Sequence, residues 1–162
     1  AGKNDQLDSI INNIFYNSIR NIFSVIFTFL LLGPAGALAY IIIDNFIYSE
    51  HMKVDQKSKK VLRLLLSIIE YIPVRVCAFT FAVVANFEQC LNQWKVIKNV
   101  KDMHDMNISL INSVGYASFE KIKDENANID LEKIIYAQSM ISRSLLAWLS
   151  VIGFLVITGV FI

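Results

Sequence analysis

Three residues of one apolar segment are the strongest candidates for chemistry in this chain: Glu70, Pro73 and Arg75. They interrupt an apolar stretch over residues 61–91 that is long enough to cross a membrane. Proline lacks a backbone N–H and clashes with the preceding turn, so a helix through Pro73 is expected to kink or break and to free backbone carbonyls. Ionisable groups at membrane depth are costly and usually face a bundle interior. The sequence therefore predicts a ligand- or partner-binding site at this polar kink.

Two interpretations of these charges stay open. Glu70 could form a buried ion pair with Arg75 or Arg63 that holds the kinked helix to its neighbours. It could also contribute to a polar site for the charged groups of a ligand. Asp44, at the end of an earlier apolar segment, could join Glu70 as a second carboxylate suited to metal–nucleotide binding or acid–base chemistry. The alternative role for Asp44 is to cap a helix at the membrane boundary.

No other motif in the sequence indicates a catalytic or metal-binding function. Cys77 and Cys90 lack a Cys-x-x-Cys or metal-ligand spacing, and both are expected to be small apolar residues of a helix. Met103-His104-Asp105-Met106 is expected to be a face of an amphipathic helix rather than a soft-metal site. Phosphate loops, dinucleotide fingerprints and serine-hydrolase elbows do not occur. The sequence thus favours a protein with no metal, no evident cofactor and no enzymatic chemistry of its own.

The composition indicates a membrane protein. Hydrophobic residues make up 55% of the 162 residues and charged residues only 18%, against about 25% in ordinary soluble domains. The net charge of +1 does not favour a nucleic-acid partner. The length predicts a single domain over residues 1–162. Its expected partners are the lipid bilayer and other membrane protein chains.

The apolar pattern predicts an all-α fold: a polytopic membrane protein with about three apolar membrane segments. The expected elements are an N-terminal amphipathic helix, a membrane span, a kinked membrane segment, a polar helical hairpin and a final membrane span, over residues 1–21, 22–43, 61–91, 92–143 and 144–162. Gly33-Pro34-Ala35-Gly36 predicts a bend in the first span, or alternatively a full break into two half-helices. The segment over 61–91 either spans the membrane or enters it and returns.

Basic residues are concentrated between the first two apolar segments. The cluster comprises Lys53, Lys57, Lys59, Lys60 and Arg63. Because short loops rich in Lys and Arg tend to stay in the cytoplasm, this connection is expected to be cytoplasmic.

Two motifs resemble those of known membrane protein families. Gly33-Pro34-Ala35-Gly36-Ala37-Leu38-Ala39-Tyr40 resembles a Gly-Pro-x-Gly-Ala-Leu-x-Tyr segment of the AmpE and CobD/CbiB families. Glu70-Tyr71-Ile72-Pro73-Val74-Arg75 resembles the helix that follows it in those families, which reads Asp/Asn, aromatic, Ile/Val-Pro-Ala/Val-Arg. The order and spacing of the two motifs agree. Residues 1–15 and 136–162 look more like AmpE than like the cobalamin-biosynthesis proteins.

The resemblance implies a multi-pass protein of a bacterial inner membrane that takes part in regulating inducible β-lactamase and in peptidoglycan-recycling signalling. It also implies a further N-terminal half, so this chain is expected to be a C-terminal portion. The cobalamin relatives are amide-forming synthases that use ATP, and that alternative would bring ATP and Mg²⁺ as cofactors. Those relatives usually carry Tyr-Arg and Asn-Thr-Leu-Asp after the first motif, whereas Tyr40 is followed here by three isoleucines and Asp44. A structural subunit of a larger membrane complex is the third alternative.

Overall fold

The computed structural model describes residues 3–48, 55–84, 87–88, 90, 92, 102–117 and 129–159. Apart from short turns, this part of the chain is helical and contains no strand, which confirms the all-α fold class. Its α-helices are α1 (Lys3–Ser18), α2 (Ser24–Tyr48), α3 (Gln56–Val84), α4 (Met103–Ala117) and α5 (Ile129–Ile157). A π-helical turn, Ile19–Phe23, joins α1 to α2 without a loop.

Three helical stretches of the described chain are long and apolar enough to cross a membrane: Gln6–Tyr48, Gln56–Val84 and Leu131–Ile157. Large apolar side chains on these helices point outward, and Leu32 and Phe154 are 70% and 64% exposed. Soluble proteins rarely expose continuous apolar surface on this scale. The exposed surface is therefore suited to contact with lipid, as expected for a membrane protein.

The first of these stretches folds back on itself at Gly33. Gly33 has φ 69° and ψ −162°, a conformation that is essentially confined to glycine. Pro34 then begins the second arm, where its missing N–H costs no helical hydrogen bond. Gly36 is buried beside the turn, and a Cβ added there would collide with Leu32 Cβ. The backbone therefore breaks into two half-helices, which is the second of the two expected alternatives. Residues 22–43 do not form one bent span.

Contacts between the two arms fix the register of this hairpin. Arg20 is ion-paired with Asp44, and the Tyr16 hydroxyl lies 2.9 Å from the Tyr48 hydroxyl. Both pairs are equidistant along the chain from Leu32, as an antiparallel hairpin requires. In one straight helix Arg20 and Asp44 would lie about 36 Å apart. The chain therefore enters and leaves the hairpin at the same level.

The buried face of α1 continues through the π turn. Leu7, Ile11, Phe15, Ile19 and Phe23 occur at every fourth residue, and all are buried. At 3.6 residues per turn, a four-residue spacing drifts by about 40° at each step. The wider π turn offsets part of this drift. The local underwinding thus helps keep these side chains in the core that α1 shares with α3, α4 and α5.

Helix α3 runs uninterrupted from Gln56 to Val84. Its 29 residues extend for about 44 Å, enough to cross a bilayer. Pro73 is buried within it, and the backbone stays helical there. Of the two expected outcomes, a kink or a break, a break at Pro73 is not observed, and α3 contains no turn that would return it to its starting side.

The predicted polar hairpin is only partly separate from the last span. Helix α4 packs mainly on α3, and its Gly115 is so close to α1 that an added Cβ would lie 2.5 Å from Phe15 Cε2. Helix α5 combines the second helix of the hairpin and the start of the span over 144–162 in one continuous element. The turn expected at residues 124–128 lies outside the described residues.

Candidate functional site

Two polar pairs lie between the hairpin and α3. Arg20 Nε is 2.8 Å from Asp44 Oδ1 across the two arms. The Tyr40 hydroxyl donates a 2.7 Å hydrogen bond to Glu70 Oε1 on α3. Tyr40 and Asp44 are one helical turn apart, so the two pairs lie one above the other on the same face of α2. We call these four residues, Arg20, Tyr40, Asp44 and Glu70, the polar clamp.

Three of the four residues of the polar clamp are buried, and the Arg20 side chain is 19% exposed. Glu70 is 0% exposed, Tyr40 2% and Asp44 8%. Glu70 Oε2 and the neighbouring Ser24 hydroxyl have no hydrogen-bond partner within the part of the chain that the structure describes. A buried polar atom without a partner costs about 1–3 kcal/mol. The clamp thus retains acceptor capacity that an incoming donor could use.

Aromatic side chains connect the clamp to α4. The Arg20 guanidinium lies 4.1 Å from the centre of the Tyr48 ring, within the range of a cation–π interaction. The Tyr48 hydroxyl in turn lies 3.5 Å from His104 Nε2 on α4. The Tyr16 and His104 rings meet edge to face, with ring centres 6.0 Å apart. A displacement of α4 would therefore reach Arg20 through one intervening side chain.

The structure brings together two of the four predicted site residues, Asp44 and Glu70. The ion pair expected between Glu70 and Arg75 or Arg63 is not observed among the described residues, where Glu70 bonds to Tyr40 instead. On a continuous helix, residues five apart point about 140° away from each other. Glu70 and Arg75 therefore face different neighbours.

Arg75 forms a separate connection between α3 and α4. Its Nη1 donates hydrogen bonds to the Tyr71 carbonyl oxygen at 2.9 Å and to Asn107 Oδ1 at 3.2 Å. The guanidinium carbon also lies 3.2 Å from the centre of the Tyr71 ring. Asn107 is buried and donates a 3.0 Å bond to the Ser67 carbonyl oxygen. Pro73, on the same stretch of α3, contributes a buried apolar ring and no polar contact.

Sequence reasoning missed Arg20 and Tyr40 as members of the site. Tyr40 is a natural interfacial anchor by type, and Arg20 falls at the end of the predicted amphipathic helix. Arg20 and Asp44 lie at equal distances along the chain from Leu32, next to the Gly33 turn, and this symmetry is the signal that pairs them once the chain is folded back there.

The described residues contain no group of three or more His, Cys, Asp or Glu side chains arranged to hold a metal ion. Cys77 and Cys90 are both buried, and the Cys90 Sγ lies 3.5 Å from the Val114 carbonyl oxygen.

His104 gives this region a predicted pH dependence. Burial and the nearby positive charge of Arg63 lower the pKa of His104, against the weaker opposing effects of Asp105 and Asp102. Just below about pH 6.5 the unfolded chain therefore binds a proton at His104 that the folded protein does not bind. Because that proton favours the unfolded chain, the folded protein loses stability as the pH falls below about 6.5. We expect the thermal midpoint of the detergent-purified protein to drop between about pH 7.5 and about pH 5.5. His104→Gln should show a smaller drop, and an equal drop would contradict this assignment.

The fold and the site together define a helical membrane protein in which buried polar pairs hold a broken-helix hairpin to its neighbours. The polar contacts connect helices to one another. The family model for "regulatory signalling modulator protein AmpE" matches residues 1–162. The chain therefore belongs to the AmpE family, and membrane signalling is its class of function. No curated protein and no solved structure matches it.

Proposed function

We propose that this protein is a multi-pass protein of a bacterial inner membrane that regulates inducible β-lactamase through peptidoglycan-recycling signalling. The family assignment supports a signalling role. The three long apolar stretches support residence in the membrane. The protein acts by binding a ligand or a partner chain, without a chemical reaction of its own.

The observation that carries this proposal is that each polar contact joins a different pair of elements. Arg20–Asp44 closes the hairpin, Tyr40–Glu70 joins the hairpin to α3, and Arg75 joins α3 to Asn107 of α4. A ligand that binds one of these groups more tightly in one arrangement of the helices than in another shifts the population toward that arrangement. The polar contacts thus provide a route from binding to a change in helix packing.

Arg75→Ala tests this role. The substitution removes the link from α3 to α4 but leaves Asn107 bonded to Ser67, so folding and membrane insertion should be retained. We expect β-lactamase induction by a sub-inhibitory β-lactam to match that of a strain lacking the protein. Arg143→Ala, which changes an exposed arginine on α5, is the matched control and should behave as the parent protein.

The induction measurements test the proposed site and the proposed function separately. Normal induction in Arg75→Ala, with normal levels in the membrane, would contradict the proposed site. Normal induction in the strain that lacks the protein would contradict the regulatory function itself.

An ATP-using amide-forming synthase related to the CobD/CbiB proteins is the second candidate. One observation favours it: Asp44 and Glu70 lie on the same polar clamp. The donor set does not fit a magnesium–nucleotide complex, however. Asp44 is engaged by Arg20, Glu70 is fully buried against Tyr40, and the described residues supply no cluster of three metal-ligating side chains. These residues define no catalytic step. Consumption of ATP that is lost when Asp44 or Glu70 is replaced would support the synthase candidate.

A further inference from the structure

A cavity of about 850 Å³ opens where α3 begins and where it meets the ends of α2 and α4. Four basic side chains line it: Lys57, Lys59, Lys60 and Arg63. None of them has an ion-pair partner in the described ranges. The only acidic side chain in the described lining is Asp102, and one of its oxygens already accepts a 2.8 Å hydrogen bond from the His104 backbone N–H. The cavity is therefore strongly positive.

An apolar strip continues from this cavity along α3. Val61, Leu64 and Ile68 follow Lys57 at helical spacing, so all four share one face. The three apolar side chains are 65%, 55% and 56% exposed. They belong to the helix Gln56–Val84, which is long and apolar enough to cross a membrane. Cations thus lie at the polar end of a surface that suits a hydrocarbon chain.

We propose that this cavity binds the headgroup of an anionic phospholipid. Its phosphate lies among Lys57, Lys60 and Arg63, and an acyl chain lies along Val61 and Leu64. A free phosphate would use the cations alone, whereas a lipid uses both the cations and the adjoining apolar strip. Basic clusters at the membrane surface are attracted to anionic headgroups, and long basic side chains reach the headgroup level while their stems cover apolar surface.

The cavity also contacts the polar clamp indirectly. His104 lines the cavity, and its Nε2 lies 3.5 Å from the hydroxyl of Tyr48, the ring of which covers Arg20. A bound headgroup would therefore lie two side chains from the Arg20–Asp44 pair. This lipid site goes beyond the proposed function and does not depend on it.

The test is native mass spectrometry of the detergent-purified full chain with dioleoylphosphatidylglycerol, dioleoylphosphatidylcholine or inorganic phosphate as the probe. We expect phosphatidylglycerol to bind in preference to the other two. Lys57→Gln/Arg63→Gln should weaken that binding roughly 25-fold, about fivefold for each charge removed. The matched control, Lys133→Gln/Arg143→Gln on α5, removes the same two charge types away from the cavity and should leave the affinity unchanged.

Charge-preserving variants separate this result from a folding defect. Lys57→Arg/Arg63→Lys should retain binding. Because Lys57 and Arg63 are exposed, this variant and Lys57→Gln/Arg63→Gln should both remain monodisperse. Equal binding of the two lipids, or equal weakening in the α5 control, would overturn the proposal. So would displacement of phosphatidylglycerol by inorganic phosphate at comparable concentration, since that outcome would assign the cavity to a soluble anion.

Discussion

Arg20→Met is expected to destabilise the protein by about 3–5 kcal/mol, because it leaves the Asp44 carboxylate largely buried without its cation. The cost arises mainly from the orphaned charge and less from the lost attraction, since taking an ion out of water requires several kcal/mol. The Arg20 side chain also covers Tyr48, so some packing is lost with it. The unfolding transition in mixed micelles, followed by circular dichroism, measures the effect.

The double variant Arg20→Met/Asp44→Leu distinguishes this mechanism from a simple packing defect. It removes both charges together, so it should recover most of the stability that Arg20→Met loses. Arg143→Met, at an exposed arginine of α5, should have little effect. A double variant less stable than Arg20→Met would contradict the orphaned-charge argument.

Gly33→Ala is the second substitution with a large expected effect. Gly33 adopts φ 69° and ψ −162°, and a side chain in that region costs about 1–3 kcal/mol. A Cβ at this position would have no atom within 4 Å, so the cost is conformational and does not come from a collision. We expect the midpoint of unfolding to fall accordingly.

Gly153→Ala is the matched control for this substitution. Gly153 lies inside α5, and an added Cβ there would also have no neighbour within 4 Å. Because alanine is favoured over glycine inside helices, the control should be neutral or more stable by about 0.5–1 kcal/mol. Equal effects at the two positions would show that the Gly33 backbone is not the cause.

The helical class and the apolar segments follow directly from the sequence. Uncharged runs of this length have few structural outcomes, because only elements that satisfy their own backbone hydrogen bonds can lie in lipid. The Gly33-Pro34-Ala35-Gly36 stretch also permits the break, although the same residues permit a bend. Gly33 permits the unusual dihedrals, Pro34 starts the second arm, and Gly36 lets the chain pass Leu32.

The partners within the site could not be predicted in the same way. A contact between Glu70 and Arg75 is one of the alternatives that the sequence leaves open, and a disrupted helix at Pro73 would favour it. Because α3 stays helical there, the two residues point about 140° away from each other. Proline removes one hydrogen bond, which packing against α2 and α4 can offset in a long helix. With α3 continuous, Glu70 turns toward Tyr40, whereas Arg75 reaches Asn107.

Arg20 and Asp44 illustrate a different difficulty. They are far apart in the sequence, and no local pattern links them. A bent span keeps them far apart, while a full break places them opposite each other. The residue pattern leaves both the bent span and the full break open. The buried ion pair can therefore be predicted only once the backbone path at Gly33 is known.

The meeting of Tyr16 and Tyr48 also determines how the chain is threaded relative to the bilayer. Because both ends of the hairpin lie at one level, the hairpin contributes no net crossing. A topology map that treats residues 22–43 as one crossing places Tyr16 and Tyr48 on opposite sides, whereas the structure puts their hydroxyls 2.9 Å apart.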